Sequence, residues 1–152
     1  MRFDYTGLVS LAPDTGEPTV IFRPEIRITV HGPHASGEFV GLVDTGADNT
    51  VLPESVAHSL GIPLIPGKGP AAQAFGGQQL SLSYGEVALE LGGHGGPLRW
   101  RTQAYFVAGG NNDETIVLGH QGFLEYFTAT FVGEDFSLDL TPNPYLLQIA
   151  TA

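Results

Sequence analysis

The chain has no cysteine. Disulfides and thiolate metal sites are therefore excluded, and a reducing compartment suits it. Basic residues are scarce: six Lys and Arg stand against sixteen Asp and Glu, for a net charge of −10. A surface of that sign repels nucleic acid and anionic membranes, so neither is expected as a partner. No apolar run in the sequence approaches the ~20 residues that span a bilayer. The opening stretch "MRFDYTGLVS" carries no long apolar segment, so no signal peptide is read and a cytoplasmic location is expected. Charged residues make up only 14%, against 21 glycines and 11 prolines, which is the profile of a turn-rich β protein. A chain of 152 residues suits one domain. Such a domain buries roughly 68–70% of its unfolded surface, enough for a core without staples.

Along the chain, "FDYTGLVSL" (3–11) and "TVIFR" (19–23) read as strands of one long hairpin, turned by "APDTGEP". "EIRITVHG" (25–32) sets Ile26, Ile28 and Val30 against Arg27 and Thr29, the alternation of a half-buried strand. "GEFVGLVD" (37–44) follows as a strand. "PESVAHSLG" (53–61) is the clearest helix, with Pro53 and Glu54 at its start and Gly61 to close it. Residues 71–93 read as two strands around a glycine-rich tip, and 98–110 as a strand with Trp100, Ala104 and Phe106 in one register. "TIVLG" (115–119) is a short apolar strand, and "HQGFLEYF" (120–127) a second short helix. "ATFVGEDFSLDL" (129–140) forms a closing hairpin, and "PYLLQI" (144–149) a last extended segment. The expected organisation is an extra hairpin packed on the domain (1–24), a main domain (25–140) and a C-terminal extended segment (141–152).

Asp-Thr-Gly occurs twice. At Asp14 the flanks are Pro13 before and Glu17-Pro18 after, which is turn chemistry with nothing apolar to bury a carboxylate. At Asp44 the flanks are Phe39, Val40, Leu42 and Val43 on one side and Ala47, Val51 and Leu52 on the other. A carboxylate at the end of a buried strand is costly unless it is hydrogen-bonded or has a function. Gly46 lets the chain turn and aim its N–H at that acid. Other constellations are weaker. His31-Gly-Pro-His34 lacks an acid at ligand spacing, and neither Gly-x-Ser-x-Gly nor a phosphate-loop motif occurs. No metal or other cofactor is expected.

"LVDTGADNTVL" resembles the active-site segment of retropepsin-like aspartic proteases, and "IVLGHQGFLEYF" (116–127) is similar to that family's second signature. Between them the family carries a glycine-rich flap, which falls here on "AFGGQQLSLSYG". The resemblance covers residues 25 to 140 and implies an all-β, single-domain closed barrel with one or two short helices. It implies Asp44, Thr45 and Gly46 as catalytic, and Ala47, Asp48, Phe75, Gly76 and Gly77 as substrate-binding. The flap tip falls at Phe75, Gly76 and Gly77 or, alternatively, nearer Tyr84. Leu118, Gly119 and His120 would support the active site. Retroviral members often place Arg where this chain has His120, paired with the acid that is here Asp48. A His120–Asp48 pair would respond to pH, since imidazole titrates near pH 6.5. A solvent-facing histidine is the other reading.

The resemblance also implies two chains. Aspartic proteolysis needs two carboxylates about 3 Å apart that share one proton. The chain offers one, because about thirty residues between Asp14 and Asp44 cannot make a second lobe. A homodimer with Asp44 meeting its own copy is expected, acting on an extended peptide or protein substrate. Terminal strands, "TATFVGEDFSLDL" and "PYLLQI", are interface candidates, which the N-terminal hairpin could modify or replace. Two other readings stay open: a catalytically silent binding or dimerisation module of the same fold, and an unrelated β module in which Asp44 is a structural turn acid.

Overall fold

A computed structural model describes residues 1–67, 72–73, 79–93, 95–108 and 115–151. Its centre is a closed ring of six strands. In chain order these are β4 (Glu25–His31), β5 (Ser36–Val43), β6 (Val51–Pro53), β10 (Leu82–Leu91), β11 (Leu98–Val107) and β12 (Ile116–Leu118). Around the ring the order is β11-β6-β12-β5-β4-β10, and β10 pairs with β11 to close it. Closure leaves no open edge in the ring. The expected all-β closed barrel is therefore what forms.

Alternation builds the wall. Ile26, Ile28 and Val30 of β4 are buried, and so are Trp100, Ala104 and Phe106 of β11, while Arg27 and Arg101 point outward and pair with Glu38 and Glu86. The centre of the core is Trp100, which meets the rings of Phe123, Tyr126 and Phe127 at centroid distances of 6.0, 6.1 and 5.7 Å. Its indole N–H donates to the carbonyl of Gly122 at 3.2 Å. Helix α1 (Glu54–Leu60) buries Val56, Ala57 and Leu60. It ends at Gly61, whose φ of 71° is a left-handed cap that a side chain would strain.

Strand β7 (Ile65–Pro66) pairs with the start of β10. Strands β8 (Ala72–Gln73) and β9 (Gln79–Leu80) form a small hairpin of their own. A three-stranded sheet of order β1-β14-β13 joins Arg2–Asp4, Ser137–Pro142 and Phe127–Val132, and buries Leu138 and Leu140.

Three expectations need correction. The run 3–11 is not one strand: it breaks at Tyr5, whose N–H donates to the Phe136 carbonyl at 2.7 Å. Arg2–Asp4 then pairs with β14, and only β2 (Thr6–Leu11) forms the hairpin with β3 (Pro18–Arg23). The segment "PYLLQI" is not extended. It is helix α2 (Pro144–Ile149), because Asn143 caps it by accepting from Leu146 N–H at 2.8 Å and Pro144 takes the first turn. Burial of Leu146 fixes it to the barrel. The helix expected over 120–127 shrinks to one 3₁₀ turn, Leu124–Tyr126. Among the described residues no helix is long and apolar enough to cross a membrane.

Candidate active site

The two Asp-Thr-Gly copies fold differently. Asp14 sits in the exposed turn of the β2–β3 hairpin, where its carboxylate accepts from Thr15 N–H at 2.9 Å. The Thr15 hydroxyl accepts from Glu17 N–H at 3.2 Å. That network is a self-contained turn.

Asp44 follows the last residue of β5 and is half-buried. Its backbone N–H donates to the Leu118 carbonyl at 3.1 Å, so it sits at the point where β5 and β12 stop pairing. Its Oδ1 accepts from Gly46 N–H at 2.8 Å. Among the described residues no other group bonds the carboxylate. A charge-assisted bond of this kind orients the acid while leaving an oxygen free for chemistry.

A second segment underpins the loop. His120 N–H donates to the Ala47 carbonyl and Gln121 N–H to the Asp48 carbonyl, both at 2.9 Å. Thr50 N–H donates back to the Gln121 carbonyl at 2.9 Å, and Asn49 bridges Gln121 in parallel. Residues 44–50 and 118–121 are thus zipped together. Gly119 lies directly beneath. A Cβ there would collide with the carbonyl oxygen of Asn49 and stand 2.8 Å from that of Ala47. Only glycine permits this approach.

Leu118 thus meets Asp44, Gly119 and His120 meet Ala47, and Gln121 meets Asp48. The partner of His120 differs from expectation. Its Nε2 stands 2.9 Å from the Thr45 carbonyl, and among the described residues it makes no ion pair with Asp48. A carbonyl only accepts, so Nε2 carries a proton. A neutral imidazole can supply that proton as well as a charged one, so the contact does not require charge. The Asp48 side chain is exposed.

Phe75, Gly76 and Gly77 lie outside the described residues. Tyr84 is not at a tip: it pairs with Tyr105 on one side and Ile65 on the other, inside β10. Thr50 was missed at the sequence level. It is buried, and its Oγ1 accepts from Gly119 N–H at 3.3 Å. Its place in "DNTVL", a hydroxyl directly before the apolar pair Val51-Leu52, was the available signal. No three His, Asp or Glu side chains among the described residues group as metal ligands. His31 is instead 3.1 Å from Glu90.

A profile of the aspartyl protease family matches residues 25–121, well over half of the chain. The chain belongs to the aspartyl protease family. This member's matched segment runs from β4 to the loop that supports Asp44. Two solved structures are similar to it. One is the EIAV protease complexed with the inhibitor HBY-793, 19% identical, with 64% of this chain and 82% of that one covered and a TM-score of 0.48. The other is a retropepsin-like aspartic protease from Rickettsia conorii, 16% identical, with 91% and 95% covered and a TM-score of 0.47. No curated protein sequence matches.

Proposed function

We propose that this aspartyl protease is an endopeptidase that works as a homodimer, with Asp44 of each copy forming one catalytic dyad. The observation that carries the reading is the Asp44 loop. It holds a single half-buried carboxylate, oriented by Gly46 N–H at 2.8 Å and braced from below by residues 118–121. The other Asp-Thr-Gly is occupied by its own turn.

Two carboxylates in contact cannot both ionise, so the pair holds one proton. The ionised Asp44 takes a proton from a water molecule, whose oxygen attacks the scissile carbonyl carbon. The protonated Asp44 of the other copy gives its proton to the carbonyl oxygen. The resulting gem-diol collapses as a proton passes to the amide nitrogen, the C–N bond breaks and the shared proton is restored. Thr45 would bond across the symmetric contact. Backbone groups of Ala47 and Asp48 and the segment around Phe75, Gly76 and Gly77 would hold an extended peptide as an added strand. His120 would keep the Thr45 carbonyl, and hence the turn, in place.

The test is cleavage of a mixed peptide library from about pH 3.5 to 7.5 by wild type and by Asp44→Asn. Asn keeps the shape but cannot share the proton. Cleavage by wild type that vanishes in the variant supports the reading. Equal cleavage by both, or silence from a wild type shown to be dimeric, refutes it.

A further inference from the structure

Half of the exposed large apolar side chains among the described residues lie on the β2–β3 hairpin. The hairpin pairs only with itself among those residues. Its register sorts the side chains by face. The pairs Gly7↔Phe22, Val9↔Val20 and Leu11↔Pro18 stand on one face, which is wholly apolar. Val9 is 79% exposed, Leu11 66%, Val20 53% and Phe22 44%. Phe22 stacks on Phe136 at 4.3 Å, which anchors that end of the hairpin, and the rest of the face is bare. A two-stranded hairpin standing alone is marginal in water, and a bare apolar face of this kind marks an interface.

We propose that this face is the dimerisation arm of the chain, and that its occupant is the same face of a second copy. The inference rests on the dyad reading above, and three observations select a second copy. First, the site has one Asp44 and is incomplete without a partner. Second, the arm is rooted beside that site. Arg23 ends the arm, Pro24 accepts from Val43 N–H at 2.9 Å, and Val43 precedes Asp44. A two-fold axis that brings two Asp44 loops together thus brings the two arm roots together. Third, the charge fits. Each copy carries −10, and an isologous contact sets like surfaces against each other. Strands Thr6–Leu11 and Pro18–Arg23 contain no acidic residue, so this face meets its copy without carboxylate repulsion.

The experiment compares full-length wild type, Val9→Glu, Val20→Glu and Thr19→Glu by sedimentation equilibrium. Thr19 pairs with Ser10 on the opposite face, so its variant controls for the added charge. The expected result is a dimeric wild type, a dissociation constant raised about tenfold or more by each of Val9→Glu and Val20→Glu, and wild-type behaviour for Thr19→Glu. A second test leaves the arm's apolar character intact. The chain has no cysteine, so Val9→Cys introduces a single thiol. A short bismaleimide should join two Val9→Cys chains and leave Thr19→Cys chains single.

A dimer that survives both glutamates and gives no Val9→Cys cross-link overturns the arm and leaves the dyad reading standing. A dimer that breaks with the arm, in a wild type that cleaves no peptide, supports the arm and refutes the protease reading. A monomeric wild type overturns the arm as a self-contact and assigns its face to a different partner.

Discussion

Replacing Gly119 by alanine tests whether the loop holding Asp44 is set by the segment beneath it. The new Cβ would lie 2.6 Å from the carbonyl carbon of Asn49 and 2.8 Å from the carbonyl oxygen of Ala47. Ordinary contact begins at 3.4 Å, so the two segments must separate by at least 0.8 Å. Both obstacles are backbone, and neither can rotate away. Overpacking of this kind costs about 1–3 kcal/mol. For a chain of this size each kcal/mol lowers Tm by roughly 2–4 °C, so a fall of about 2–12 °C is expected. The same displacement moves Asp44 relative to its counterpart, and a misplacement of about 1 Å costs on the order of 10²-fold in rate. Calorimetry of the folded chain reads the first effect and kcat/KM on a cleaved peptide the second. Gly92→Ala is the control, because a Cβ there meets nothing within 4 Å. A Gly119→Ala variant with wild-type Tm and wild-type kcat/KM would refute the reasoning. A lower Tm with unchanged kcat/KM would mean that the strain escapes away from Asp44.

Further expectations follow from the same geometry. Thr50→Val leaves the buried Gly119 N–H without its acceptor and should cost about 1–3 kcal/mol in chemical denaturation, with Thr50→Ser restoring most of it. Asp14→Asn touches only an exposed turn, so peptide cleavage should match wild type, and a loss of cleavage would contradict the assignment of Asp44. His120→Ala removes the contact with the Thr45 carbonyl and should lower kcat more than it raises KM. The shape of the pH–rate profile should not change, since the contact forms with neutral imidazole too, and a shifted profile would show that charge on His120 matters. Burial pushes the Tyr126 phenol above its ordinary 10.0, with the Thr102 hydroxyl opposing in part. The folded state therefore favours the neutral phenol. Its contribution is full below pH ~10 and is lost as pH rises through the higher folded value, so Tyr126→Phe should flatten the alkaline fall in Tm.

Much of this protein was legible because local chemistry and tertiary packing agree. Alternation in β4 and β11 names the buried residues, since a side chain on the wrong face would sit in water. Helix α1 announces itself by Glu54 at its start and Gly61 at its end. The two Asp-Thr-Gly copies separate on their flanks alone: proline and acid around Asp14 make a turn, and a run of apolar residues carries Asp44 to a strand end.

What remained was decided by contacts between segments far apart in the chain. In "PYLLQI" Tyr145 and Ile149 favour extension, but Asn143 caps a helix and Leu146 finds a buried slot. Its Asn-Pro start was visible in the sequence, but the buried slot for Leu146 was not. The break at Tyr5 exists because the Phe136 carbonyl lies opposite its N–H. His120 meets a backbone carbonyl instead of the nearby acid because zipping residues 44–50 to 118–121 aims its ring at Thr45. Sequence determined which acid stands at the end of a buried strand. The tertiary structure decided what orients that acid and which surface is left bare, because both depend on distances between strands that no local pattern encodes.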